Sequence, residues 1–551
     1  MPVINLDRQR FSKYVGKEVT SDEMADWLPW LGFDLEEVGE DKVKVEFNPN
    51  RIDFSSYAGV ARAFKGLRGW ETGLPEYDVK TGETLLNVES AVSEVRPFML
   101  AAVVRGLKLE EDDVIDLMEM QEDLHWGIGR DRKKASIGVH NLDVVEPPFT
   151  FTAVEPESVK FVPLDKAEKM SLKEILEKHE KGKGYRHLVD WSPKYPLLED
   201  KHGNVLSMPP IINGELTRVT EKTKALFLDV TGTDYNAVKN SLNVLSTAFA
   251  GMGGTIERVL VKYPGSMVES PNLDPQMMHL RTTFANKLLG LSLTDPQVIE
   301  FLEKCRLGAK SASRSHIDVL VPPYRIDILH EIDLVEEVAI GYGYYNLKPT
   351  LPSSVTIGKQ HPAQMKANIA RQIMIGFGFT EAMNFTLTNE AWHYTKMRRK
   401  PAASVKLANP VSTEYTIMRH DLLPSLMKNL ADNKHESFPQ KLFEVSDVVW
   451  INNQLDTGCQ RRLHVAAVSS HPTSNFTEMK SVTEALLANL SLKLWKIGVA
   501  KHPSFINGRA ANIRLRSETI GMVGEIHPEV LNNFALENPT TAFEIDLEEI
   551  A

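Results

Sequence analysis

A chain of 551 residues, 42% hydrophobic and 25% charged, has ordinary globular composition and is long enough for roughly three to five domains with several buried cores. Its net charge of −11 excludes a protein that coats nucleic acid by bulk attraction, so any RNA contact must come from local basic patches. The two cysteines, Cys305 and Cys459, stand in no CxxC or CxxH pattern, and neither a targeting pattern at MPVINLDRQRF nor a membrane-length apolar run is present, so a reducing, cytoplasmic setting is expected.

Residues 1–80 read as a small α/β unit, with a helix around Ser21–Leu31, a strand through Lys42–Phe47, a turn at Arg51-Ile52-Asp53 and a helix over Tyr57–Leu67. Gly73 and Pro75 end it. Arg62, Lys65 and Arg68 share a helical face, for which a solvated surface is the default expectation and a nucleic-acid contact the alternative.

Residues 86–262 read as a mixed α/β domain that opens with the strand-like FMLAAVVRGL and continues through a helix at Asp113–Leu124. HWGIGRDRKKASIGVHNLD, residues 125–143, gathers His125, Arg130, Arg132, Lys133, Lys134, His140, Asn141 and Asp143 around a short strand, Ala135–Val139. SMPPIIN at 207–213 sets two prolines ahead of Asn213 and predicts a fixed loop. A helix from Asp234 ends at the glycines of 251–254, which follow a helix and precede the strand TIERVLVKY; that is the reverse of a dinucleotide-binding loop and fits a helix C-cap.

After Pro264, Gly265, Pro271 and Pro275, residues 271–346 repeat the first unit at an offset of 274, from Arg51-Ile52-Asp53 to Arg325-Ile326-Asp327. Lys13, Gly16, Thr20, Leu28 and Pro49 match Lys287, Gly290, Thr294, Leu302 and Pro323, and Trp27 matches Phe301. Pro349 and Pro352 close this copy. In YRIDILHEIDLVEEVAIGYGY, Asp333, Glu336 and Glu337 fall on one helix face, within reach of Asp327 from the preceding extended segment. Four hard oxygen donors so grouped suit Mg²⁺. The same spacing also fits an N-cap with a capping-box acid. In the first copy the three helical positions are Gly59, Arg62 and Ala63, so only the second copy is equipped for a metal.

Residues 355–551 begin with a helix at Ala363–Phe377 and a half-buried strand in which Met383, Phe385 and Leu387 alternate. The segments LFEVSDVVW, RLHVAAVSS, ANIRLR, IGMVGEI and TAFEIDLEEI follow as antiparallel strands, with helices near Leu422–Lys434 and Ser481–Leu490. The fold class expected for the chain is α+β and multidomain. The basic run Lys396–Lys400 falls in a connection, with a solvated loop as its default reading.

In this order, the paired RID repeats, YRIDILHEIDLVEEVAIGYGY, HWGIGRDRKKASIGVHNLD, MPPIIN, MRHDLLPSL and GEIHPEV resemble the β subunit of phenylalanyl-tRNA synthetase over essentially the whole chain. The resemblance is to the shorter archaeal and cytosolic eukaryotic form, without an oligonucleotide-binding insertion after the first repeat or an anticodon-binding domain beyond Ile550. It implies an (αβ)₂ enzyme that joins phenylalanine to its tRNA, with ATP and phenylalanine bound on the partner α subunit. Residues 355–551 are then similar to a class II synthetase core without its catalytic groups. AFEIDLEEI is acidic where a catalytic domain carries an arginine, and Met418-Arg419-His420-Asp421 is a poor version of the Arg-x-Glu ATP motif. The resemblance places Mg²⁺ on Asp327, Asp333, Glu336 and Glu337. It assigns proofreading of Tyr-tRNA to 86–262, with pocket candidates Arg130, His140, Ser207, Asn213 and Asp229. Two rival readings are a non-catalytic, tRNA-binding scaffold in the same complex and a stand-alone Mg²⁺-dependent phosphohydrolase. The second lacks any accompanying phosphate-binding lysine or glycine loop.

Overall fold

The computed structural model describes residues 2–351 and 356–548, which fall into two compact units, 1–350 and 351–551. Pro352, expected to close the second repeat, and the last residues of the expected closing strand lie outside the described residues.

Within the first unit the 274-residue repeat is carried by secondary structure as well as by sequence. The first copy runs Val3–Asp7, Arg8–Val15, Ser21–Trp27, Phe33–Val38, Lys42–Phe47 and Tyr57–Leu67, the second Gln276–Arg281, Thr282–Leu289, Asp295–Lys304, Gly308–Ser313, His316–Val321 and Glu331–Tyr342. Each makes a three-stranded sheet with its last strand in the middle. The matched residues are those that start and stop helices. Thr20 and Thr294 head their helices in capping boxes, and Gly16 and Gly290 end the preceding helices at φ 77° and 68°, a conformation L side chains avoid. Both helices flanking those glycines bury an apolar stripe, with Phe11 and Val15 in the first copy and Ala285 in the second inside the core.

Residues between the copies build an eleven-stranded sheet around Phe98–Arg105, Ala225–Gly232 and Ala135–Asn141, three adjacent strands that are almost wholly buried. Such strands read as continuous apolar runs, as FMLAAVVR and ALFLDVTG do. Helix Tyr235–Gly251 packs on this region, capped by Asp234 and ending at a left-handed Gly253, so the glycine cluster is a helix terminus. Ala135–Asn141 and Ile212–Asn213 are the two ends of the strand path, yet residues from both ends line one cavity; the sheet is therefore strongly curled.

In the second unit, seven strands are ordered Thr380–Glu381, Gln440–Ile451, Cys459–Ser470, Thr540–Asp546, Glu518–Ile526, Phe505–Leu515 and Trp495–Val499, antiparallel except at the first pair. Alternate residues of the strands feed two cores. One lies under helices Pro362–Gly376 and Phe476–Asn489, the other under Leu423–Asp432 and Pro528–Asn533. The alternating strand expected through Met383 and Phe385 does not form: Met383 is 93% and Phe385 73% exposed, and only Thr380–Glu381 and Leu387–Thr388 pair. The neighbouring strand Gln440–Ile451 meets this segment through the Glu444 carboxylate, which takes the Asn384 N–H and amide in place of a backbone ladder, so the alternation is not extended into a strand here.

Candidate functional site

A cavity of about 290 Å³ opens in the eleven-stranded domain. Its walls come from helix Glu111–Trp126 (Glu122, His125), the strand Ala135–Asn141 (Ser136, Gly138), Asp229, and the segment from Ser207 to Asn213. Asp229 is buried on the central strand, its Oδ2 2.8 Å from His140 Nε2, while His140 Nδ1 lies 2.8 Å from Thr217 Oγ1. Gly138 makes this possible, since a Cβ there would sit 2.0 Å from Asp229 Oδ2 and 2.6 Å from His140 Nε2. The carboxylate thus lies against the strand backbone. Ser207 Oγ is buried with no hydrogen-bond partner among the described residues.

Of the sequence candidates, Ser207, Asn213 and Asp229 line the cavity together. His140 is wholly buried beside Asp229 and acts as its support. Arg130 is exposed in a turn and does not line the cavity; Arg132, two residues on, does. Arg130, Asp131 and Arg132 all have positive φ (48°, 55° and 64°), a strained run for residues with side chains. The Arg132 guanidinium anchors it, donating from Nη1 to the carbonyls of Pro210 (3.3 Å) and Ile211 (3.1 Å) and from Nη2 to Glu122 (2.8 Å). Arg96 supports the same turn by donating to the Arg132 carbonyl and to Thr231. Sequence reasoning missed Glu122, which reads as one more acid of an amphipathic helix until the turn brings Arg132 to it.

The carboxylates of the second repeat are close to one another but mostly engaged. Arg325, buried, donates to both oxygens of Asp327 (2.9 and 2.7 Å) and both of Glu337 (2.9 and 2.6 Å). Asp333 Oδ2 accepts from the backbone N–H of Leu329 (2.8 Å) and His330 (2.7 Å), so the capping alternative describes this residue. Glu336, an exposed residue, makes no hydrogen bond to the described residues, and partial desolvation together with Glu337, Asp327 and Asp333 pushes its carboxyl above the ordinary range. Mg²⁺ needs near-octahedral oxygens, and this arrangement does not fit it as it stands; among the described residues no three acid, histidine or cysteine side chains are gathered to hold a metal.

The first copy explains its missing acids. A Cβ on Gly59, the counterpart of Asp333, would lie 1.8 Å from the Asp53 carbonyl oxygen, because the RID loop closes directly onto the helix start. Arg51 forks onto Asp53 at 3.0 Å through two nitrogens, as Arg325 does onto Asp327. Nor are the three basic residues of this helix a solvated face. Arg62 stacks 3.6 Å from the Tyr324 ring centre, Lys65 pairs with Glu71, and Arg68 lies over the rings of Trp27 and Trp70.

On the sheet of the second unit the charges are matched in pairs. Arg419, fully buried, donates to Glu444 at 2.7 Å; Arg399 pairs with Asp421; Arg462 meets Asp546 at 2.9 Å. Arg399 and Arg398, which is 2.6 Å from Glu529, therefore take the run 396–400 out of the free-loop reading. His464 Nδ1 lies 2.7 Å from Glu544 Oε1, and the flanking acids raise it to about 9 against the opposing effect of burial. A cavity of about 400 Å³ borders these groups, which hold one another rather than standing open for phosphates.

Two sequence profiles match: phenylalanyl tRNA synthetase beta chain CLM domain over residues 347–547, and tRNA synthetase B5 domain over 278–344. The chain is 41% identical to a phenylalanine–tRNA ligase beta subunit of Methanosphaera stadtmanae, each covered over 100% of its length. It is 45% identical to that of Methanosarcina barkeri over 100% of this chain and 99% of the relative. The chain belongs to the phenylalanine–tRNA ligase β-subunit family. A crystal structure of an N-terminal fragment of the β subunit from Pyrococcus horikoshii superposes with a TM-score of 0.61 at 39% identity, covering 62% of this chain and 100% of the fragment. The mixed α/β, multidomain fold is thus shared with this family, whose B5 match coincides with the second repeat copy. Among the described residues no helix is long and apolar enough to cross a membrane.

Proposed function

We propose that this chain works as the β subunit of phenylalanine–tRNA ligase, in an (αβ)₂ complex whose α subunit binds ATP and phenylalanine and makes Phe-tRNA. In the same reading, residues 86–262 hydrolyse tyrosine wrongly joined to the phenylalanine tRNA. Residues 355–551 are a class II synthetase-like core without catalytic groups, a reading supported by Arg419 being sealed against Glu444. The relatives' name, which includes a subunit designation and tRNA, supports the partner assignments.

One observation carries the proofreading assignment: the cavity is lined by both a buried acceptor, Asp229, and a buried hydroxyl, Ser207, that has no hydrogen-bond partner among the described residues. A hydrophobic pocket rejects an analogue with one added hydroxyl by only about 10²-fold, whereas a site built to bond that hydroxyl discriminates by about 10⁴–10⁵. Tyrosine is phenylalanine plus that hydroxyl. Its phenol O–H can donate to Asp229; phenylalanine would leave the buried polar groups unpaired. Mg²⁺ enters this reading only as a competitor of Arg325 for Asp327 and Glu337, with Glu336 as the carboxylate free to receive it; no chemical step passes through it.

The test is co-purification with the α subunit followed by two assays, Phe-tRNA formation and deacylation of preformed Tyr-tRNA. Loss of tyrosine faster than the spontaneous rate is expected. Phe-tRNA formation with no such hydrolysis would leave a tRNA-binding scaffold in place of the proofreading reading.

A further inference from the structure

His125 is buried in the cavity wall, and its two ring nitrogens have different fates. Nε2 accepts the backbone N–H of Ile137 at 2.8 Å. An N–H can only donate, so Nε2 carries no proton and the tautomer is fixed: the proton sits on Nδ1. Nδ1 has no hydrogen-bond partner among the described residues, and Glu122 Oε2 stands 3.9 Å away, beyond hydrogen-bond distance. Burial, the largest effect, with Arg132 and Arg96, holds this imidazole below its ordinary pKa against the opposing pull of Glu122. A histidine whose only lone pair is already occupied cannot take a proton from water. It can give a hydrogen bond from Nδ1, in one direction.

A second donor in the same wall is also unspent. Arg132 uses Nη1 and Nη2 on Pro210, Ile211 and Glu122, while its buried Nε–H has no partner among the described residues. Leaving a buried donor unmade costs free energy, and two such donors lining one cavity call for an acceptor that arrives with a ligand. Asp229, which lies against Gly138 in the same cavity, is an acceptor already matched to a phenol O–H in the reading above, so the two donors suit the other polar end of an aminoacyl group.

Resting on the proofreading assignment, we infer that His125 Nδ1–H, seconded by Arg132 Nε–H, binds the ester carbonyl oxygen of the tyrosyl group and stabilises the negative charge that gathers there during hydrolysis. Water adds to the carbonyl carbon, the carbon–oxygen bond to the tRNA ribose breaks, and the ribose oxygen takes the proton the water gives up. The products are free tyrosine and tRNA, and no proton passes through His125.

The test exploits shape. The asparagine amide nitrogen falls where His Nδ1 was, and the glutamine amide oxygen falls where Nε2 was. His125→Asn therefore keeps the donor and loses the bond to Ile137, while His125→Gln keeps that bond and loses the donor. In the assembled complex with preformed Tyr-tRNA, His125→Gln is expected to lower kcat for deacylation by about 10²-fold, the effect of removing one oxyanion donor, with KM changed far less. His125→Asn is expected to stay within about tenfold of the wild type, as for one lost neutral hydrogen bond. Phe-tRNA formation should be the same in all three proteins. The reverse order of the variants, or equal slowing by both, overturns the inference and makes His125 a strut for its strand. If the wild-type complex itself does not deacylate Tyr-tRNA, the proofreading reading fails and this inference falls with it.

Discussion

Arg325 and Glu337 are joined by two hydrogen bonds, 2.6 and 2.9 Å long, between side chains that are both buried. The Cys305 thiol donates to the Glu337 carbonyl from the neighbouring helix, at 3.2 Å. The pair stands where the sequence suggested a metal, and its geometry turns the metal question into a competition. Six oxygens around Mg²⁺ and a guanidinium fork both claim Asp327 and Glu337.

Removing the fork should show which ligand the site prefers. Arg325→Met leaves Asp327 and Glu337 as buried, uncompensated carboxylates beside Glu336, a loss of about 3–5 kcal/mol for a broken buried pair. Its thermal midpoint should fall by several degrees in Mg²⁺-free buffer and recover in millimolar Mg²⁺, while the wild type is nearly insensitive to the ion. A wild-type protein stabilised by Mg²⁺ as strongly as the variant would show that the ion displaces Arg325 without help.

Glu336→Gln removes the one acid of the four without a hydrogen-bond partner among the described residues. Because partial desolvation and three neighbouring acids raise its carboxyl, its charged form is destabilised in the folded chain, so neutralising it should leave the protein as stable or slightly more stable in the absence of divalent ions. The same change should abolish the Mg²⁺ rescue of Arg325→Met. Melting curves of the single and double variants decide both points.

How much could be read beforehand differs between backbone and side chains. Caps were visible, because Thr20, Thr294, Gly16 and Gly290 act locally on backbone geometry, and that is why an ungapped offset found the repeat. In the sequence the cavity is legible only as separate pieces, 125–143, 207–213 and Asp229, since the curl that joins opposite ends of one sheet path has no local signal. The family resemblance points to His140 and Arg130 together with Asp229. The strand Ala135–Asn141 is buried on both faces and encloses His140 beside Asp229, whereas Arg130 is exposed in its turn. Met383 and Phe385 show the opposite failure, a strand-like pattern without a backbone ladder.

Asp229→Ala should separate the two activities proposed for the complex. It removes the acceptor for the phenol and also leaves His140 Nε2 buried without its partner. Tyr-tRNA deacylation should fall by about 10²-fold or more, and Phe-tRNA synthesis on the α subunit should stay within about twofold. Ser207→Ala, which deletes a hydroxyl with no partner among the described residues, should not lower the melting temperature and should slow deacylation alone. Equal losses in synthesis and deacylation would indicate damaged folding or tRNA docking.

His464 makes the second unit sensitive to alkaline pH. Its imidazole lies 2.7 Å from Glu544 and 3.7 Å from Asp546, and those acids raise it from 6.5 to about 9 despite burial. A group that binds its proton more tightly folded than unfolded stabilises the folded state fully below its unfolded pKa, and that contribution drains away as pH climbs through the folded pKa. The window is therefore from about 6.5 to about 9, and the stability involved is on the order of 2–3 kcal/mol. Glu544 also accepts the backbone N–H of Leu422 and Leu423 at the start of helix Leu423–Asp432, so deprotonating His464 removes the positive charge beside a buried carboxylate even where Nδ1–H still donates to it. Unfolding by urea at a series of pH values should show the wild type losing stability steadily between neutral pH and pH 9. His464→Gln, neutral throughout, should start less stable at pH 6.5 and follow a flatter line, so that the two curves converge near pH 9. Parallel curves across that range would mean that His464 is not the group that titrates.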